Sequence, residues 1–83
     1  MDEKAVKELV EALLNVDTDK DMLLLLQGLL TLGELKEIAS RLQIVKMLKA
    51  GVPQREIAST LNVGIATVTK GSREIKRGRF PNV

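Results

Sequence analysis

Residue types that commonly build catalytic and metal sites are missing from this chain of 83 residues. It contains no cysteine and no histidine, so neither a disulfide framework nor a Cys/His zinc site can stabilise it. The sequence also offers no nucleophile beside a base and no cluster of acids expected to be buried. We therefore expect a protein that is not an enzyme and that binds no metal.

Long hydrophobic runs and a secretory signal are also missing. The richest apolar stretch, residues 22–30, is too short to span a bilayer, and Gln27 and Gly28 interrupt it. The N-terminus, MDEKAVKELVEALL, carries acids where a signal peptide has positive charges. These features predict a cytoplasmic protein that has no membrane partner.

The size of the chain favours association of two copies. A domain this small buries only about 60–65% of the surface that its unfolded chain exposes. Apolar residues lie on nearly every side of the helix expected between Met22 and Leu26, and such a helix has to be enclosed. We therefore predict a homodimer whose N-terminal helices interlock.

Charge is distributed unevenly along the chain. Residues 1–40 contain four Lys/Arg and nine Asp/Glu, whereas residues 41–83 contain nine Lys/Arg and two acids, Glu56 and Glu74. A basic half of this kind points to a polyanionic partner such as nucleic acid. The alternative is an ordinary charged surface facing solvent.

The hydrophobic pattern predicts an all-α fold of five helices, since no segment alternates as a strand does. The expected helices run from about Asp2 to Leu14, from the caps Asp17–Asp19 to Leu30, from the cap Thr31 to Ala50, from Gln54 to Leu61, and onward from Ile65. Glu34, three residues after Thr31, would complete a capping box. Arg41 lies on an apolar arc, where it either pairs with Glu37 or is reserved for an anionic ligand.

The fourth and fifth helices have helix-turn-helix form. Ala58 is small where the two helices cross, and Asn62 tolerates the left-handed conformation that a tight turn requires. Ile57, Leu61, Val63 and Val68 fill the wedge between the helices. A helical hairpin without a nucleic-acid function, for instance an adaptor that binds an acidic protein, is the alternative.

The outer face of this unit has the character of a DNA-binding surface. Small residues at the start of the fifth helix would let it enter a major groove, and basic residues would contact phosphates. Ile65, Ala66 and Thr69 would contact the base edges. Because so few long polar side chains are present there, we expect direct hydrogen bonds to the bases to be sparse, and water-mediated contacts and DNA shape to carry much of the specificity. The candidate set is Gln54, Arg55, Ala58, Gly64, Ile65, Ala66, Thr69, Arg73 and Lys76, with Arg77 and Arg79 as further phosphate contacts.

Residues 28–76 resemble the tryptophan repressor family. LLTLGELKEIASRLQIVKML is similar to the segment that leads into that family's motif, and QREIASTLNVGIATVTKGS closely resembles its reading head. The resemblance implies an intertwined all-α homodimer that represses transcription at a palindromic operator in double-stranded DNA. It also implies L-tryptophan as corepressor and readout that is largely mediated by water.

The resemblance also implies which residues surround the ligand. Arg41 corresponds to one of the two arginines that enclose the indole, Leu30 and Thr31 would come from the partner chain, and Thr67, Val68 and Gly71 would form the wall. Gly71, where many helix-turn-helix units have a bulky apolar residue, would leave room for a ring. Three positions depart from the family pattern: Lys70 replaces the second arginine, Glu74 a small hydroxylated residue, and Gly28 an apolar one. Lysine cannot cover an indole face as a guanidinium does. Glu74 could bind an ammonium, repel a carboxylate or pair with Lys70, so another effector, or none, stays open.

The expected organisation is a single domain, residues 1–83, with dimerisation helices in 1–50, the helix-turn-helix in 53–76 and a basic tail in 77–83. The family usually has a final helix, but RGRFPNV is too short and too interrupted by Gly and Pro to form one. We expect the tail to be flexible or extended. Phe80, the only aromatic residue, would then lie at a frayed end or fill a groove at the dimer surface.

Overall fold

A computed structural model describes residues 2–83 and confirms the all-α class. Its helices are α1 (Glu3–Leu14), α2 (Asp19–Leu29), α3 (Leu32–Lys49), α4 (Gln54–Leu61) and α5 (Ile65–Lys76). The helices match the expected ones to within a residue or two, and residues 2–83 contain no strand. No helix in this range is both long and apolar enough to cross a membrane.

Side-chain caps begin the first two helices. The carboxylate of Asp2 accepts hydrogen bonds from the backbone N–H groups of Lys4 at 2.9 Å and Ala5 at 3.4 Å. The hydroxyl of Thr18 accepts one from the N–H of Asp21 at 3.1 Å. Each cap satisfies N–H groups that have no partner within the first turn of a helix.

The capping box expected before α3 is present. The backbone N–H of Thr31 donates to Glu34 Oε1 at 2.9 Å, and the N–H of Glu34 donates to the hydroxyl of Thr31 at 3.1 Å. These bonds lower the pKa of Glu34 below its ordinary value of 4.5, with the backbone N–H of Thr31 as the larger cause. Thr31 and Glu34, three positions apart in the sequence, thus fix the start of α3 by bonding to each other's backbone.

The chain divides into two compact units, the first ending at Leu35 and the second beginning at Lys36. In the first unit, none of residues 2–35 is buried. Large apolar side chains of α1, α2 and the start of α3 are exposed instead, namely Val6, Leu9, Val10, Leu14, Leu23, Leu24, Leu29 and Leu32. One copy of this unit therefore has no interior of its own, although its sequence is rich in leucine.

The second unit has a small closed core. Ile44 of α3, Ile57 of α4 and Val68 of α5 form one cluster and are at most 1% exposed. Partly buried side chains surround them, namely Met47, Leu48, Val52, Ala58, Leu61 and Val63. Because one residue from each of three helices meets here, this cluster sets how α5 lies on α3 and α4.

The turn between α4 and α5 has the expected left-handed residue. Asn62 adopts φ 54° and ψ 50°, and the N–H of Val63 donates to the carbonyl of Ala58 at 3.0 Å. Asparagine accepts this conformation more readily than most residues other than glycine. Asn62 therefore stops α4 and redirects the chain into α5.

The basic tail folds back in turns, so our expectation of an extended segment was wrong. Gly78, at φ 76°, forms a Schellman turn with its neighbours. The backbone N–H of Gly78 donates to the carbonyl oxygen of Ile75 at 2.9 Å, and the backbone N–H of Arg79 donates to the carbonyl oxygen of Glu74 at 3.2 Å. The turn ends α5 and reverses the chain. No further helix follows among residues 77–83.

Candidate DNA-binding surface and effector cavity

The core of the second unit determines which face of α5 is free. Val68 is fully buried against Ile44 and Ile57, so residues on the opposite side of α5 face outward. Ala66 and Arg73 are exposed there, Ile65 and Lys76 are exposed nearer to the Val68 side, and Thr69 is half-buried. The outward face is therefore short near its start and basic near its end, as the sequence indicated.

The start of α5 has no side-chain cap. Its N-cap is Gly64, which has a β-region backbone with φ −70° and ψ 147° and no side chain to accept from the first turn. Gly64, Ile65 and Ala66 are all exposed. The free N–H groups and the helix dipole give this exposed end a partial positive charge.

Thr69 and Gln54 form a unit across the hairpin. The hydroxyl of Thr69 lies 2.9 Å from Gln54 Oε1 and 3.0 Å from the carbonyl oxygen of Ile65. A hydroxyl has one hydrogen, so it donates to one of these acceptors at a time. With its oxygen held by Thr69, the Gln54 amide keeps its two N–H donors for another partner.

The basic residues of the candidate set differ in how free they are. Arg55, Arg73 and Lys76 are exposed, and no ion pair among residues 2–83 involves them. Arg77 and Arg79, the further phosphate contacts suggested by the sequence, both pair with Glu74. Ala58, also in the candidate set, packs against the core cluster where the two helices cross.

A cavity of about 160 Å³ lies in the second unit between α3, α5 and the tail. Its lining comprises Glu37, Arg41, Ile44, Val45, Thr67, Lys70, Gly71, Glu74 and Phe80. Five candidate ligand residues are brought together here, namely Arg41, Thr67, Lys70, Gly71 and Glu74. Val68 is not among the lining residues, because its side chain is wholly buried in the core. Leu30 and Thr31 belong to the first unit, where they connect α2 to α3.

Arg41 pairs with Glu37, one of the two arrangements that the sequence left open. Its Nη2 atom lies 2.8 Å from Glu37 Oε1, and the side chains are 53% and 60% exposed. An exposed pair one helical turn apart contributes at most a few tenths of a kcal/mol. The pairing therefore holds the guanidinium at the cavity only weakly and leaves its other N–H groups available.

Glu74 does not pair with Lys70. Glu74 Oε1 lies 2.9 Å from Arg77 Nη1, and Glu74 Oε2 lies 3.2 Å from Arg79 Nε. Each carboxylate oxygen thus has its own guanidinium, while Lys70 takes part in no ion pair among residues 2–83. The negative charge of Glu74 is compensated by the tail, and Lys70 remains an exposed cation at the rim.

Gly71 allows α3 and α5 to approach each other closely. A Cβ atom at this position would lie 3.0 Å from Ile44 Cγ2 and 3.5 Å from Leu48 Cδ1. We had expected the missing side chain to leave space for a ligand ring. That expectation was wrong for the space above Gly71 Cα itself, because Ile44 and Leu48 occupy it.

Phe80 is the lining residue that the sequence placed elsewhere. We expected it at a frayed end or at the dimer surface, but it is half-buried and contributes to the cavity wall. Its status as the only aromatic residue was the one signal available. Ile44 and Val45 were also missed as lining residues, although Val45 lies one helical turn after Arg41.

Comparison with known proteins identifies relatives over most of the chain. Residues 4–80 match the family model described as Trp repressor protein. A protein of Xylella fastidiosa (strain M23), named Trp operon repressor homolog, is 33% identical over 75 residues, which cover 89% of this chain and 82% of that protein. Proteins of the same name from Vibrio vulnificus (strain YJ016) and Pasteurella multocida (strain Pm70) are similar over shorter stretches. The first is 46% identical over 54 residues, covering 64% of this chain and 53% of the relative. The second is 51% identical over 49 residues, covering 58% and 48%. No solved structure matches significantly.

Proposed function

This chain belongs to the Trp repressor protein family, a regulatory DNA-binding family rather than an enzymatic one, and we propose that it is a sequence-specific transcriptional repressor that acts as a homodimer. The observation that carries the proposal is the α4–α5 hairpin. Its core fixes α5 with an uncapped N-terminus, a face of small side chains and exposed Arg73 and Lys76 near the C-terminal end.

The geometry of α5 suits entry into a major groove. Ala66 is exposed and small and Gly64 has no side chain, so the start of the helix can approach base edges, and its uncapped N–H groups favour phosphates. Arg55, Arg73 and Lys76 would position the helix through phosphate contacts. Thr69 would contact the bases together with Gln54. The hydrogen bond between these two side chains orients the Gln54 amide, whose N–H donors would then face the bases.

The first unit supports the proposed homodimer. Residues 2–35 expose eight large apolar side chains, the first of which is Val6 in α1 and the last Leu32 at the start of α3. A single chain buries none of residues 2–35, and exposed apolar surface of this extent marks a site of association. Helix-turn-helix dimers, of which the Trp repressor is a known example, bind half-sites about 34 Å apart. The proposed operator is therefore palindromic.

Selection from a pool of random DNA duplexes tests the repressor proposal. Enrichment of a palindrome is the expected result, and an unchanged pool would instead favour a protein-binding adaptor. If about six phosphates are neutralised per dimer, the logarithm of affinity should fall with the logarithm of salt concentration with a slope near −5. Arg55→Ala should weaken binding to all duplexes alike, whereas a bulky residue at Thr69 should reduce the preference for the selected sequence.

We further propose L-tryptophan as the corepressor, held in the cavity of the second unit. Arg41 and Lys70 supply cations for a carboxylate, and Glu37 supplies an anion for an ammonium group. Glu74, which departs from the family pattern, should repel the carboxylate of the ligand only weakly, because Arg77 and Arg79 compensate its negative charge. In the selection described above, enrichment should increase when L-tryptophan is present and should lose that increase in Arg41→Ala.

A further inference from the structure

The cavity and the tail are in contact through Phe80. With its lining in place, the cavity measures about 160 Å³, close to the roughly 150 Å³ of an engineered apolar cavity that admits benzene. It therefore admits one six-membered ring, whereas L-tryptophan, with its second ring and its amino-acid group, has more than twice as many non-hydrogen atoms as benzene. Phe80 is the lining residue best able to yield, since it lies on a short segment that follows the last helix.

The tail is held over the cavity at both of its ends. At its start, the Schellman turn at Gly78 reverses the chain, and Arg77 and Arg79 pair with Glu74 on α5. At its far end, Lys49 Nζ donates hydrogen bonds to the carbonyl oxygen of Phe80 and, at 3.0 Å, to the main-chain oxygen of Val83. Residues 77–83 thus form a strap between α5 and the end of α3, with the Phe80 ring turned to the cavity.

We propose that this strap makes Phe80 a built-in occupant of the effector cavity, so that a bicyclic amino acid binds only when the strap opens. This inference rests on the proposed effector site and adds its regulation. The apparent affinity of a ligand falls in proportion to the fraction of molecules in the binding-competent state. A strap that is open in roughly one molecule in ten would weaken binding by about tenfold.

Titration with L-tryptophan tests the competition directly. The chain contains no Trp and no Tyr, so all indole fluorescence comes from the ligand. Phe80→Ala should bind L-tryptophan roughly three- to tenfold more tightly than the unmodified chain, because no ring has to leave first. An equal or lower affinity in Phe80→Ala would overturn the proposal and make Phe80 a wall of the binding site.

Substitution of Lys49 tests the strap without changing any residue that lines the cavity. It does not line the cavity, so Lys49→Ala should raise the affinity for L-tryptophan only by loosening the strap, by roughly two- to fivefold. Lys46→Ala is the matched control, since Lys46 also lies in the last turn of α3 and has no bond to the strap among residues 2–83. Equal affinities of the two variants would contradict the role of Lys49.

The position of the strap can be followed without any ligand, because Phe80 is the only phenylalanine. Chain labelled with fluorophenylalanine gives one ¹⁹F resonance, which should be displaced from that of the free amino acid and should move toward it in Lys49→Ala. A resonance at the free position in the unmodified chain would overturn the seating of Phe80. If neither the unmodified chain nor Phe80→Ala binds L-tryptophan, both the effector and the competition fail, whereas an enriched palindrome would still uphold the repressor.

Discussion

Gly71→Ala should destabilise the protein, although the same change usually stabilises a helix. Replacing a glycine inside a helix by alanine gains about 0.5–1 kcal/mol from the backbone alone. At Gly71 the new methyl would lie 3.0 Å from Ile44 Cγ2, which is closer than ordinary packing allows. Overpacking of a core costs about 1–3 kcal/mol, so the two effects oppose each other.

The burial of Ile44 decides which effect is larger. Ile44 is 1% exposed and packs against Ile57 and Val68, so a shift away from Gly71, even toward the cavity that Ile44 also lines, would weaken these core contacts. Leu48 Cδ1, at 3.5 Å, is in ordinary contact and adds little. We expect a net loss of about 1 kcal/mol in the free energy of unfolding, or a fall of about 4–8 °C in Tm.

Urea denaturation followed by far-ultraviolet circular dichroism measures this loss, at one fixed protein concentration because association contributes to stability. Ile44→Leu supplies the control, since leucine lacks the methyl on Cβ that the new side chain meets. In that background Gly71→Ala should cost little or become stabilising, with a coupling energy of about 1 kcal/mol or more. A stabilising Gly71→Ala in the unmodified chain, or effects that simply add, would refute the steric argument.

Two further predictions concern the ends of helices. Glu34 has a lowered pKa in the folded chain, so its capping bond contributes fully above its ordinary pKa of 4.5 and is lost as pH falls through the lowered value. The stability difference between the unmodified chain and Glu34→Gln, measured by urea denaturation across this range, should therefore change below about pH 4.5 and stay constant above it. Asn62→Ala should cost about 1 kcal/mol in the same assay because Asn62 has φ 54°, whereas Asn62→Gly should be nearly neutral; equal effects of the two would count against the conformational explanation.

Local features of the fold could be predicted because their causes are local. The capping box joins Thr31 to a residue three positions away, and the left-handed turn depends on Asn62 itself. The wedge of Ile57 and Val68 follows from helical periodicity on either side of that turn. In each case the residues that determine the structure lie within a few positions of one another, so the sequence pattern was sufficient.

The cavity was predicted less completely because its parts are distant in sequence. Lys49 and Phe80 are separated by 31 positions, and no periodicity relates them. Glu74 had a plausible partner one helical turn away in Lys70, but the Schellman turn brought Arg77 and Arg79 to it instead. Such choices between competing partners depend on where the chain reverses, which helical patterns do not encode.

α5 contributes residues both to the outward face and to the lining of the cavity, so the two proposed sites share one helix. Thr67, Lys70 and Gly71 of α5 line the cavity, while Ala66 and Arg73 are exposed outside it. Between them, Val68 is wholly buried against Ile44 and Ile57. A group that entered the cavity would contact α5 beside its buried contact with α3, and a small rotation of α5 would change the direction of its outward side chains. We accordingly expect the occupant of the cavity, whether Phe80 or a bound amino acid, to influence how α5 meets DNA.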